Sequence, residues 1–219
     1  MRSALLIDPG QSEIEQRLER LEREKVVVFA VREAMRAAPL LAIAGPKSFD
    51  RLAEPSFRAI LTASIAAFDP KARPSAQIAS DEAFAAASLT DTAHSAVYAA
   101  ARAAGAAVAN HAAAAAYAGY AAAFSSARAA AAETTLLREA VLDLEQLERA
   151  VAADQLRATP LWPSGTPVEF TGAVDRLAQT VRQTGAACAR WVDWYVTKIY
   201  GWPELLPMER DWALAENVH

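Results

Sequence analysis

A histidine that binds metal or moves protons needs partners at fixed spacing, and this sequence offers three histidines to test. Asp91 and His94 stand three residues apart, which on a helix puts a carboxylate and an imidazole on one face. A dimetal helical bundle needs two Glu-x-x-His units and two further glutamates. This chain has one Asp-x-x-His. His111 has Val108 three residues before it, and His219 is the last residue. The donor count falls short, so neither a metal nor a cofactor is expected. Cys188 is the only cysteine and lies in an apolar helical pattern. A nucleophilic thiolate needs a lowered pKa and a nearby base, and nothing local supplies either, so it reads as a buried structural residue. No glycine-rich loop precedes a Lys-Ser/Thr pair, and no Gly-x-Ser-x-Gly turn exists. Catalytic residues are therefore expected to be none, and the chain is not expected to be an enzyme.

Two groups could instead bind something. Tyr98, His111, Tyr117 and Tyr120, with Asn110, could line a polar pocket inside a helical body. Buried hydroxyl, amide and imidazole groups must find partners, either each other or a small ligand. The second group is the string Trp191-Val192-Asp193-Trp194-Tyr195. At about 100° per residue its three aromatic rings cannot share one helix face. Some must meet another element, either the Leu161-Trp162 loop and the Trp202 turn, or a partner protein. On the second reading Trp162, Trp191, Trp194, Tyr195 and Trp202 are the partner-binding residues. Arg32, Arg36, Arg182 and Arg190 read as solvated helix faces.

The elements that must position these side chains are helices. Ser12 and Glu15 form a capping box, followed by Ile14, Leu18, Leu21, Val28, Val31 and Met35 at helical spacing up to Pro39. Glu13–Arg17 and Glu19–Arg23 are i,i+4 pairs on its outer face. Val26 to Val31 is apolar nearly all round, so other helices should enclose that half. Leu40 to Ala44 adds one turn before Gly45-Pro46, and Glu54-Pro55 reads as a break that opens a helix carrying Phe57, Ile60, Leu61, Ile65 and Phe68. Residues 70–80 read as a solvated connector, with Ser80 as the next cap. From Ala83 to Ala132 roughly half the residues are alanine. Alanine loses no side-chain entropy on entering a helix, so two long helices are expected, with breaks near Thr90 and near Gly105 or Asn110. Small side chains let helix axes approach closely. Leu137, Val141, Leu144, Leu147 and Val151 give an amphipathic helix over 134–153. Thr159 to Pro167 holds three prolines and a glycine and reads as a loop that packs Leu161 and Trp162 inward. A last long helix spans about 170–200, and a short one follows Pro203.

The expected fold is thus an all-α multi-helix bundle of about six to eight helices with alanine-rich centres, one domain over residues 1–219. A chain of 219 residues, 53% hydrophobic, can bury a sizeable core without staples. Its net charge of −4 lacks the basic footprint that nucleic acid or an anionic membrane surface requires. Residues 103–124 carry no formal charge, but alanine transfers weakly into lipid and Asn110-His111 sits near the middle. A helix enclosed in a soluble body is expected there. One cysteine fits a reducing compartment, and the Leu5-Leu6-Ile7 run is too short for a signal peptide, so a cytoplasmic location follows.

The helix Val26–Ala44 with its Ala-Ala-Pro-Leu-Leu-Ala end, the tyrosine-punctuated alanine helices, Pro160-Leu-Trp-Pro163 and the Trp-x-Asp-Trp-Tyr string occur in one order. Together they resemble a loosely defined group of bacterial alanine-rich helical modules. Members of that group stand ahead of effector domains in defence or conflict proteins, such as Toll/interleukin-receptor-like or peptidase-like domains. The resemblance implies a non-catalytic, protein-interaction and regulatory module that binds a protein partner or itself. Because the sequence stops at His219, it further implies that the effector is a separate chain or that this is part of a longer one. The alternatives are a small-ligand-binding helical sensor and an amphipathic coat or scaffold protein. Five tryptophans and the proline-ordered loops count against the coat.

Overall fold

The computed structural model describes residues 9–88, 93–109, 114–115, 118–119, 133–183, 186–202 and 207–214. The fold is all-α. Its helices are α1 (Pro9–Leu18), α2 (Arg23–Ala37), α3 (Pro46–Phe68), α4 (Arg73–Ala87), α5 (His94–Ala109), α6 (Glu133–Glu148), α7 (Ala153–Ala158), α8 (Val168–Gln183), α9 (Ala186–Lys198) and α10 (Pro207–Leu214). Two 3-10 segments, Ala38–Ala44 and Pro70–Ala72, join α2 to α3 and α3 to α4. The described residues hold more helices than the six to eight expected, and no strand.

The excess has local causes. The first expected helix is two, because the chain turns at 19–22 and Glu22 is extended. Its two expected surface pairs are replaced by tertiary ones. Arg17 forks onto Glu148 of α6 at 2.8 and 2.7 Å. Arg23 donates to the carbonyls of Ala66, Ala67 and Ala107, the C-terminal ends of α3 and α5, where a cation meets the helix dipoles. Helix α1 also starts before the Ser12 cap, at Pro9. The connector expected over 70–80 is mostly α4, with Pro74 in its first turn. Ser80 is no cap; it is buried mid-helix and its hydroxyl donates to Ala101 O of α5 at 3.0 Å.

The break expected at Glu54-Pro55 does not occur, and α3 runs through Pro55. A proline there removes the N–H that would bond the Arg51 carbonyl, but Arg51 and Glu54 are exposed, so water can take that bond. Residues 159–167 form an irregular loop, as expected, with Leu161 and Trp162 buried. Gly201, just past α9, passes against the end of α7 at φ +122°, and a Cβ there would sit 2.4 Å from Ala158 O, so only glycine fits.

The core has two textures. Helices α3, α4 and α5 pack through small side chains, with Ala76, Ala79 and Ala83 of α4 and Ala99, Ala100, Ala103 and Ala104 of α5 buried. Around α2, α6, α9 and the loop, buried alanines such as Ala30, Ala34 and Ala140 alternate with large or charged residues. Among the described residues no helix is long and apolar enough to cross a membrane.

Candidate functional site

Helix α2 carries Arg32, Glu33 and Arg36 directly after its all-round apolar stretch, and all three are buried. They do not form the solvated face expected of Arg32 and Arg36. A helix enclosed on every side has no solvated face to give them. Asp143 of α6 takes both guanidinium groups: Arg32 Nε at 2.6 Å, Arg32 Nη2 at 3.2 Å and Arg36 Nη1 at 2.8 Å. The other donors, except Arg36 Nε, which is buried without a partner among the described residues, hold the end of α7 and the loop. Arg32 Nη1 reaches the carbonyls of Leu156 and Thr159, Arg32 Nη2 that of Pro160, and Arg36 Nη2 that of Leu161. Arg36 also lies over the Trp162 ring at 5.4 Å. Proline cannot donate and the loop makes few backbone bonds of its own, so these guanidinium donors satisfy carbonyls that would otherwise be stranded. The flanking Arg36 and Arg32 charges outweigh burial and hold the Asp143 carboxyl below the usual range. Among the described residues Glu33 receives one bond, from Arg36, to Oε1, and its buried Oε2 has no partner. Burial pushes its carboxyl up to about 7.

The aromatic string is interior. Trp191, Trp194, Tyr195, Trp162 and Trp202, the candidate partner residues, are each no more than 6% exposed. Trp191 stacks on Phe57 of α3 at 6.5 Å, and Tyr195 and Trp194 lie 5.8 and 6.1 Å from the same ring. Trp194 meets Trp202 edge-on at 5.2 Å, and Trp162 packs on Phe170 at 5.1 Å. Rings that diverge around α9 find α3, the Gly201-Trp202 turn and α10, so these five side chains lock the fold, and Trp194 also borders an open groove at its edge.

The outer edge of that lock opens outward. Arg190, Asp193, Trp194 and Thr197 of α9 face Met208, Glu209 and Trp212 of α10 across a groove of about 380 Å³. Trp212 is half-buried, Met208 is 51% exposed, and Asp193 and Thr197 are exposed. Arg190 lies over Trp191 and Trp212 at 5.4 and 5.9 Å and faces Glu54 at 3.6 Å. Beneath, a Lys198–Glu209 pair at 2.6 Å ties α9 to α10, and Arg210 pairs with Asp69 at the end of α3. Helix α10 is thus held from two sides, and the groove is lined by apolar rings with charges at the rim. Sequence reasoning reached Trp194 but missed Met208 and Trp212, which join the groove only through the docking of α10.

The other expected pocket is only partly described. Asn110, His111, Tyr117 and Tyr120 lie outside the described residues, as does Asp91. Tyr98 is half-buried between α4 and α5, where its hydroxyl accepts from Arg102 and its ring meets Phe84 at 5.3 Å and His94 at 5.8 Å. His94 Nδ1 faces the Ala87 carbonyl at 2.9 Å. Cys188 is buried, and burial, with Asp50 and Glu54 nearby, pushes its thiol up to about 12, far from a reactive thiolate. Among the described residues no three His, Cys, Asp or Glu side chains converge as a metal site. No family model, curated protein or solved structure matches this chain.

Proposed function

We propose that this chain is a non-catalytic interaction module that docks a partner protein in the groove between α9 and α10. The observation that supports it is the groove itself: an open cleft of about 380 Å³ with Trp194 and Trp212 in its walls and a half-exposed methionine at its lip. Aromatic and methionine side chains are enriched at interface centres, and methionine adapts to what it meets. The cleft suits one leucine or aromatic side chain of the partner, and exposed Asp193 suits an adjacent basic residue. A place beside a bacterial defence effector rests on the sequence resemblance described above.

A photo-crosslinking residue in place of Thr197, in cells that naturally make the protein, tests this. The expected result is one dominant protein adduct, lost in Trp212→Ala and weakened in Asp193→Lys. A crosslinker at exposed Ile78 on α4 is the control. The same adducts from both positions would refute the reading. A small-ligand sensor is the second reading, favoured by a cavity volume within the usual range for such sites. It predicts no protein adduct, and a bound small molecule in native mass spectra that Trp212→Ala removes.

A further inference from the structure

Glu33 is wholly buried on α2, yet among the described residues only one of its oxygens is hydrogen-bonded. Its single donor, Arg36 Nη1, is shared with Asp143 at 2.8 Å, and Asp143 also takes two bonds from Arg32. The remaining Arg32 and Arg36 contacts go to the Leu156 carbonyl of α7 and to loop carbonyls. The charges that act on Glu33 are those of Arg36 and Arg32, which favour its anion, and Asp143, which opposes it; Glu139 of α6 acts on Arg36 and is paired with Arg138. On the other side Gly119 approaches the Glu33 methylene, and Ala114, Ala115, Ala118 and Gly119, the described residues of that stretch, bring no charge. An anionic Glu33 would therefore hold an unsolvated, unbonded oxygen beside Asp143, whereas a neutral carboxyl escapes most of that cost.

We propose that the folded chain holds Glu33 as a neutral carboxylic acid, and that losing this proton loosens the clasp joining α2, α6 and the 159–167 loop. The ionised group needs donors, and the nearest is Arg36, whose Nη1 it already shares with Asp143, whose Nη2 holds the Leu161 carbonyl and whose buried Nε has no partner among the described residues, so ionisation turns this guanidinium further toward Glu33. Drawing Arg36 away frees the loop end that carries Trp162. The clasp is thus a proton-dependent device: closed in mild acid, loosened in alkali.

The sign follows from linkage. Glu33 sits at about 7 in the fold against an ordinary 4.5, so the folded chain binds the extra proton between these values. Stability contributed by this group is complete below about 4.5, falls as pH rises toward 7, and stays lower above it.

Urea unfolding of wild type and Glu33→Gln across about pH 5 to 8 tests the proposal. The wild-type folding constant should fall relative to that of the variant by a factor on the order of a hundred, because a tenfold difference in proton affinity between folded and unfolded chains changes that constant tenfold. Other titrating groups are common to both chains and cancel in the ratio. Should Glu33→Gln not fold, the infrared carbonyl band of a protonated carboxyl decides. It should be present in folded wild type in mild acid and fade around neutrality, and be absent from Glu33→Met. A constant ratio of folding constants, or a wild type without that band at about pH 5.5, overturns the proposal.

Discussion

Between α4 and α5 the buried contact is largely methyl against methyl, with Ala83 and Ala100 fully buried, a Ser80–Ala101 hydrogen bond crossing the seam and the Phe84–Tyr98 pair at its edge. Between α2 and α6 it is guanidinium against carboxylate, and the Arg32 and Arg36 forks reach oxygens of Asp143, Glu33 and the loop. Both seams are buried, but they are specified differently. The alanine seam is held by shape: small side chains bring backbones close, and any larger group is excluded. The charged seam is held by pairing: a buried ion without its counter-ion costs more than the pair contributes. One region should therefore fail on gaining volume and the other on losing a partner.

The largest effect is expected at Asp143. Asp143→Ala strands two buried guanidinium groups, and urea unfolding should show a loss of about 3–5 kcal/mol. Its carboxyl is held below the ordinary 3.8, so wild type keeps this contribution above that value and loses it as pH falls through the lower folded pKa. The variant should lack that acid limb. A loss below about 1 kcal/mol would mean that the clasp is loosely solvated.

A smaller effect is expected in the alanine seam. Ala100→Leu adds three carbons where there is no space, and should cost about 1–3 kcal/mol by overpacking. A Leu substitution at exposed Ala85 of α4 is the control and should be nearly neutral. If both substitutions are neutral, the seam is wider than its burial indicates. The smallest effect is expected at Ser80. Ser80→Ala removes a polar tie across that seam, and thermal unfolding should report about 1 kcal/mol or less, since the Ala101 carbonyl can still serve its own helix.

The two seams also differ in how far they can be read from the chain. Alanine content, spacing and the proline-rich loop announced the helices and the inward Leu161-Trp162 pair, because those properties act over a few neighbouring residues. The continuity of α3 through Pro55 could not be read, because it depends on which side of the helix meets water. Arg32 and Arg36 read as solvated because arginine usually is. The signal against that lay in their position just after Val26 to Val31, on a helix whose apolar run already implies enclosure. Their partner, Asp143, stands more than a hundred residues away and has no local mark. The α9–α10 groove was half-legible for the same reason: Trp194 announced a ring in need of company, but not that Met208 and Trp212 would border it.

The sequence by itself determined that the chain is helical, where most helices lie and which loop folds inward. These follow from backbone propensity and apolar period, which are local. Only the tertiary structure decided which charges are buried, which carboxyl shares a guanidinium, and which tryptophan keeps an edge in the open. Those depend on contacts between distant segments, where desolvation and pairing are set by what each side chain meets and not by its neighbours along the chain.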